Sequence, residues 1–280
     1  MKHSYLVITG LLFIVSCVGT KIEEKGTTGA INSSAPYFWS SGFPKTVRLS
    51  QDFNADETTA IQLMSTAWST AVNNQKTFFA YGAVTSEKTT GLSGMDALLD
   101  SEMGIYKASN WPGTLPGSAL AVTQIFGRRY NVGSSSEFVS IEHADVLVND
   151  DFYDFDTADT GPGFDLRTVI LHELGHFLGL QHKSSSSNRN SSVMFPSIDP
   201  TEAKRAPKSV DTADIANKYS ITMPLTADSA ALVSSGPQPS YTIKDGDAGQ
   251  SIKILIELHA DGNCVHKEDG VEVLRHPAGI

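Results

Sequence analysis

The sequence predicts an α+β chain with a small β segment on its C-terminal side. Three observations carry that reading. Ile61, Met64, Ala67, Trp68 and Ala71 fall on one stripe at helical spacing, which marks a long first helix. Several short runs rich in β-branched and aromatic residues follow, separated by turn residues. A second helical stretch then begins behind Gly161-Pro162-Gly163 and carries a group of histidines. With 280 residues, 40% of them hydrophobic, the chain can bury a substantial core. Its formal net charge of −10 leaves no basic stripe to neutralise phosphates, so nucleic acid is excluded as the main partner. Nor does it offer a polybasic surface to anionic lipid.

Residues 1–17 stand apart from the fold. Lys2 gives a short positive start, and residues 5–15 are mostly apolar but too few to span a bilayer as a permanent helix. The stretch ends in Ile14-Val15-Ser16-Cys17, and small and aliphatic residues directly before a Cys resemble the lipobox of bacterial lipoproteins. That resemblance implies cleavage before Cys17, lipid on Cys17, and an exported protein held on the cell envelope. An ordinary signal peptide cut a few residues later is the alternative. Residues 18–36 are small and polar, with nothing to bury, and read as a flexible tether.

The main domain is expected over 37–222. Residues 46–49 form a short β-type run, and Asn54 or Asp56 can cap the first helix, which runs to about Val72. Residues 78–84, 103–107, 120–126 and 138–149 read as strands. Asp145 interrupts the alternation of the last one, which requires a bulge or a specific contact. The acidic run at 150–159 contains oxygen ligands of the kind Ca²⁺ takes, but it lacks the Gly and closing Glu of an EF-hand loop, so a solvated loop is the preferred reading. Asp165 is the expected N-cap of the second helix. Residues 223–280 hold a linker at 234–240, an alternating strand at 251–258, turns at Asp261-Gly262-Asn263 and Asp269-Gly270, and a last run at 271–274. His259, His266 and His276 lack ligand-like spacing there and are read as surface residues. If Cys17 is acylated, Cys264 is a lone thiol. It is expected to be a buried filler or a link between copies, with a zinc-masking role set below both.

Residues 171–182 read L-H-E-L-G-H-F-L-G-L-Q-H and organise the chain. A spacing of four puts His172 and His176 on one helix face, one turn apart. Two nitrogens about 2.0–2.1 Å from one Zn²⁺ are then geometrically easy. Glu173 is placed to reach water at the metal without ligating it. Gly179 can take a positive φ, end the helix and return the chain, so that His182 approaches the same metal from another side. Three protein ligands leave a fourth position for water, as in catalytic zinc sites. The alternative is three histidines on an ordinary amphipathic helix. Chance supplies a bare H-E-x-x-H in roughly one chain in a hundred, and adding Gly179 and His182 lowers that to about one in tens of thousands.

The pattern His172-Glu173-x-x-His176-x-x-Gly179-x-x-His182 resembles the signature of the metzincin zinc peptidases. Ser192-Val193-Met194-Phe195-Pro196 resembles their Met-turn, and a Pro two residues after the Met is similar to the matrixin branch. Residues 209–219 are similar to the helix that closes a matrixin catalytic domain. The resemblance implies a twisted mixed sheet with long helices, and an active-site helix followed by the Met-turn. It implies one catalytic Zn²⁺ on His172, His176 and His182, with Glu173 as general base and Met194 as an apolar floor that does not ligate. It also implies that 120–126 is an open sheet edge, on which an extended protein or peptide substrate would lie as an added strand; the alternative is an interior strand. Two departures stand out: Lys183 occupies a position where matrixins usually carry Ser, and residues 184–190 lengthen the loop to Met194. No Cys-containing propeptide motif that could mask the zinc is visible. The expected function is therefore that of a lipid-anchored zinc endopeptidase acting outside the cytoplasm as a monomer. The alternative from another class is a lipid-anchored binding or adhesion protein that keeps the fold without turnover.

Overall fold

The computed structural model describes residues 35–85, 88–158, 161–222 and 241–277. Cys17, most of the tether and the linker at 234–240 lie outside the described residues. The chain begins with β1 (Tyr37–Phe38) and β2 (Lys45–Leu49), then enters α1 (Ala55–Ala71). Asn54 caps this helix by accepting from the backbone of Asp56 and Glu57, and Glu57 returns a bond to the Asn54 N–H. Next come β3 (Phe79–Tyr81), β4 (Met103–Ala108), β5 (Ala119–Tyr130) and β6 (Phe138–Asn149). The short strands β7 (Phe155–Asp156) and β8 (Phe164–Asp165) lead into α2 (Leu166–Phe177), which is followed by α3 (Ser209–Lys218). Three strands close the described chain: β9 (Gln250–His259), β10 (Cys264–Glu268) and β11 (Val271–His276).

One mixed sheet takes the order β11-β10-β9-β5-β6-β4-β2-β3, with β1 paired to the start of β6. The strands β1, β2, β3, β4 and β6 pair in parallel, whereas β5, β9, β10 and β11 pair antiparallel. The period of two along β6 assigns its faces. Val146 and Val148 join Trp68, Ile61 and Leu174 in the main core under α1 and α2. Leu147 joins Tyr106, Val122 and Leu98 in a second core on the other face. Asp145 breaks the alternation for a specific contact, as it accepts from the Gly104 N–H at 2.8 Å and pairs with His143 Nε2 at 2.6 Å. The register shift lies nearby, at Phe126/Gly127.

Two expectations are corrected here. β5 is not an open edge, because β9 pairs along it from Ala119↔His259 to Arg129↔Gln250. The C-terminal strands are thus continuous with the main sheet, and Ile252, Ile254 and Ile256 of β9 belong to the main core. The histidines of this segment are not surface residues either. His259 and His266 are only 6% and 7% exposed, and His276 is half-buried. Their spacing along the chain conceals this, because the hairpin register sets which of them share a face. Among the described residues no helix is long and apolar enough to cross a membrane.

Candidate metal centre

α2 starts where expected, with the Asp165 carboxylate accepting from the Thr168 N–H at 2.7 Å. It ends at Gly179, whose φ is +82°. The Gly179 N–H donates to His176 O at 2.7 Å and the Leu180 N–H to Gly175 O at 2.8 Å, the pair of bonds that closes a helix on a left-handed residue. A Cβ at position 179 would also collide with the Tyr37 carbonyl. Aromatic donors satisfy the remaining carbonyls at this end. Trp39 Nε1 donates to Phe177 O at 2.8 Å, and the Tyr219 hydroxyl donates to Leu178 O at 2.7 Å.

The returned chain brings three imidazoles together. The Nε2 atoms of His172, His176 and His182 lie 3.0–3.1 Å from one another. Nitrogens around a tetrahedral Zn²⁺ with bonds of about 2.0–2.1 Å stand roughly 3.3–3.4 Å apart, so this triangle accepts the ion after shifts of a few tenths of an ångström. The other ring nitrogens support the same assignment. His172 Nδ1 lies 2.8 Å from Val193 O, and His176 Nδ1 lies 2.9 Å from Leu180 O. A carbonyl only accepts, so Nδ1 carries the proton in both rings and Nε2 presents its lone pair. Burial holds His172 down to about 4 and keeps His176 and His182 well below the usual histidine range, so all three rings are neutral, the form that binds metal. The donor set fits zinc.

Glu173 follows the first of these ligands and is fully buried. Its Oε2 accepts from the Thr123 hydroxyl of β5 at 2.5 Å, while Oε1 is buried without a hydrogen-bond partner among the described residues. Burial pushes its pKa up to about 8, against the opposing effect of the Thr123 bond. Met194 is buried and packs its Sδ against Gly175, where any Cβ would collide with it. The turn that contains Val193, Met194 and the buried Pro196 is tied down on both sides. Lys183 N–H donates to Met194 O at 2.9 Å, and Lys183 Nζ pairs with Asp214 of α3. The buried Asp211 accepts from the Ser192 hydroxyl, Val193 N–H and Lys208 N–H at 2.5, 2.9 and 2.8 Å.

The structure therefore gathers His172, His176 and His182 with Glu173 on the same helix and Met194 packed against that helix. Four further residues neighbour the site, and of these the sequence pointed only to Cys264, as a buried filler or, less favoured, a zinc mask. Thr123 and Asp211 reach the site from distant elements, and no spacing along the chain signals that. His266 Nε2 lies 2.9 Å from His182 Nδ1, and Cys264 Sγ lies 3.4 Å from His182 Nε2. Cys264 is fully buried beside the triad, a position that rules out a surface link between copies in this arrangement.

A search of curated proteins finds no match. A family model described as matrixin matches residues 54–220, from the cap of α1 to the residue pair beyond α3, and so spans the whole of α2, the Met-turn and the helix that braces it. With three neutral imidazoles converging inside that match and a triangle of zinc-binding size, the chain belongs to the matrixin family of zinc metallopeptidases, with its α+β metzincin-type fold.

Proposed function

We propose that the protein is an endopeptidase that cleaves proteins outside the cytoplasm and is anchored to the bacterial cell envelope by lipid on Cys17. The observation that carries the catalytic reading is the convergence of the three Nε2 atoms within 3.0–3.1 Å, on a helix that also carries the buried Glu173. His172, His176 and His182 would hold the zinc, which when bound would supply a Lewis acid to polarise the peptide carbonyl and acidify the attacking water. Glu173 takes the proton from that water and delivers it to the leaving amine. Burial raises the proton affinity of this carboxylate, which strengthens it as the base that takes the proton from water. Thr123 fixes one carboxyl oxygen and leaves the other without a partner among the described residues. The Val193 and Leu180 carbonyls orient the first two rings.

The test compares wild type with Glu173→Ala on a mixed peptide library read by mass spectrometry, with zinc content measured on both. Chelator-sensitive internal cleavages that vanish in Glu173→Ala, while one zinc per chain is retained, are expected. Near-normal cleavage by Glu173→Ala would remove Glu173 from this role. A binding protein without turnover is favoured by one observation, the occupied edge of β5. Zinc retention with no cleavage by any form of the protein would move the assignment there. The anchor is checked separately by labelling with a radioactive fatty acid, and label that persists in Cys17→Ser would refute it.

A further inference from the structure

The strand that lies on β5 is oriented and registered over the metal centre. Thr123, which holds Glu173, stands opposite Ile256 of β9, and Ile256 stands opposite His266 of β10. One step along, Ala121, Leu258, Cys264 and His276 form the next row. Residues opposed across a sheet share a face. The face that carries Thr123 therefore also carries Ile256, Cys264, His266 and His276, and it is turned toward α2. Contacts agree with this placement. Ile252, Ile254 and Ile256 pack in the core with α2, Cys264 Sγ touches His182, and ligand atoms of His182, His266 and His276 lie within 4.8 Å of one another. His182 Nε2 faces the other two rings, so its Nδ1–H donates to His266 Nε2 at 2.9 Å. The third ligand thus takes its orienting partner from the hairpin, whereas the first two take theirs from the domain itself.

We propose that residues 250–276 are an intramolecular inhibitor of the peptidase. β9 takes the place of an added substrate strand on β5, and β10 and β11 cap the metal centre, with His266 holding the third zinc ligand. The proposal rests on the peptidase reading above. A sheet edge offers its unpaired N–H and C=O groups to any extended strand. A strand on the same chain competes at an effective concentration of about millimolar, so peptides at lower concentration are largely excluded until the hairpin lifts. Capping and metal binding also reinforce one another, since the closed state alone gives His182 its His266 partner.

The test uses full-length zinc-loaded protein. Phe126 and Lys253 are opposed across β5 and β9 and are both partly exposed, so Phe126→Cys with Lys253→Cys can lock the strand by a disulfide. The locked form is expected to cleave peptides, and to bind a peptide hydroxamate, at least ten-fold less well than the same protein after reduction. Ile254→Pro removes a β9 amide and, assayed with zinc in excess so that the weakened site stays filled, should raise cleavage at least ten-fold over wild type. A third readout is independent of turnover. His266→Ala should weaken zinc affinity by about 10–100-fold, and His266→Gln, whose amide oxygen can accept the same bond, should recover part of it. Equal cleavage and equal hydroxamate affinity in the locked and reduced forms would overturn the proposal, as would unchanged zinc affinity in His266→Ala. Cleavage by no form, including zinc-loaded Ile254→Pro, would instead remove the peptidase reading and the proposal with it.

Discussion

Gly175 lies inside the histidine motif, at a position the motif leaves free, and it is the place where Met194 enters. A Gly in a helix interior costs roughly 1 kcal/mol relative to Ala, and here the absent side chain leaves room for the Met194 sulfur. That cost was a legible signal in the sequence, since an isolated Gly in a strong helical pattern points to close packing. His172, Glu173 and His176 were legible for a simpler reason, as a fixed helical period converts spacing into direction. His182 was legible because Gly179 can take the left-handed turn that returns it. Thr123 was not legible. It meets Glu173 from 50 residues away, through a sheet register that no local pattern specifies.

At the scale of elements, the Met-turn is positioned by α3 as much as by its own sequence. The Asp211 carboxylate accepts three hydrogen bonds at the start of that helix, two of them from Ser192 and Val193 in the turn. Val193 in turn orients His172 through its carbonyl. Asp211→Asn keeps the shape and removes acceptor capacity, leaving a buried donor poorly matched. The expected loss is about 1–3 kcal/mol of stability, with weaker zinc retention. Denaturant unfolding of zinc-loaded protein measures it, and an unchanged midpoint would show that the carboxylate is not the brace. The first two helices and most strands were legible from their periods and caps, and α3 only through the resemblance. β10 was not, because Cys264–Glu268 is a five-residue run with no alternation, squeezed between two turns. Without β10 there was no register, and without the register Cys264, His266 and His276 looked unrelated.

For the whole molecule, the α+β class and the peptidase half were readable from the chain, and the relation between its two ends was not. The resemblance placed an open edge at 120–126, where the structure has β9 paired along the strand. What fills that edge depends on the 119 residues between β5 and β9, and on the apolar alternation of β9 finding an unsatisfied strand. Three histidines, two from a helix and one returned by Gly179, are positioned to share one zinc. The most direct measurement is metal content after exhaustive dialysis, in wild type and in His182→Ala. One zinc per chain in wild type, and a sharp loss in His182→Ala, is the predicted result. Wild type without zinc, or His182→Ala with an undiminished complement, would contradict the account.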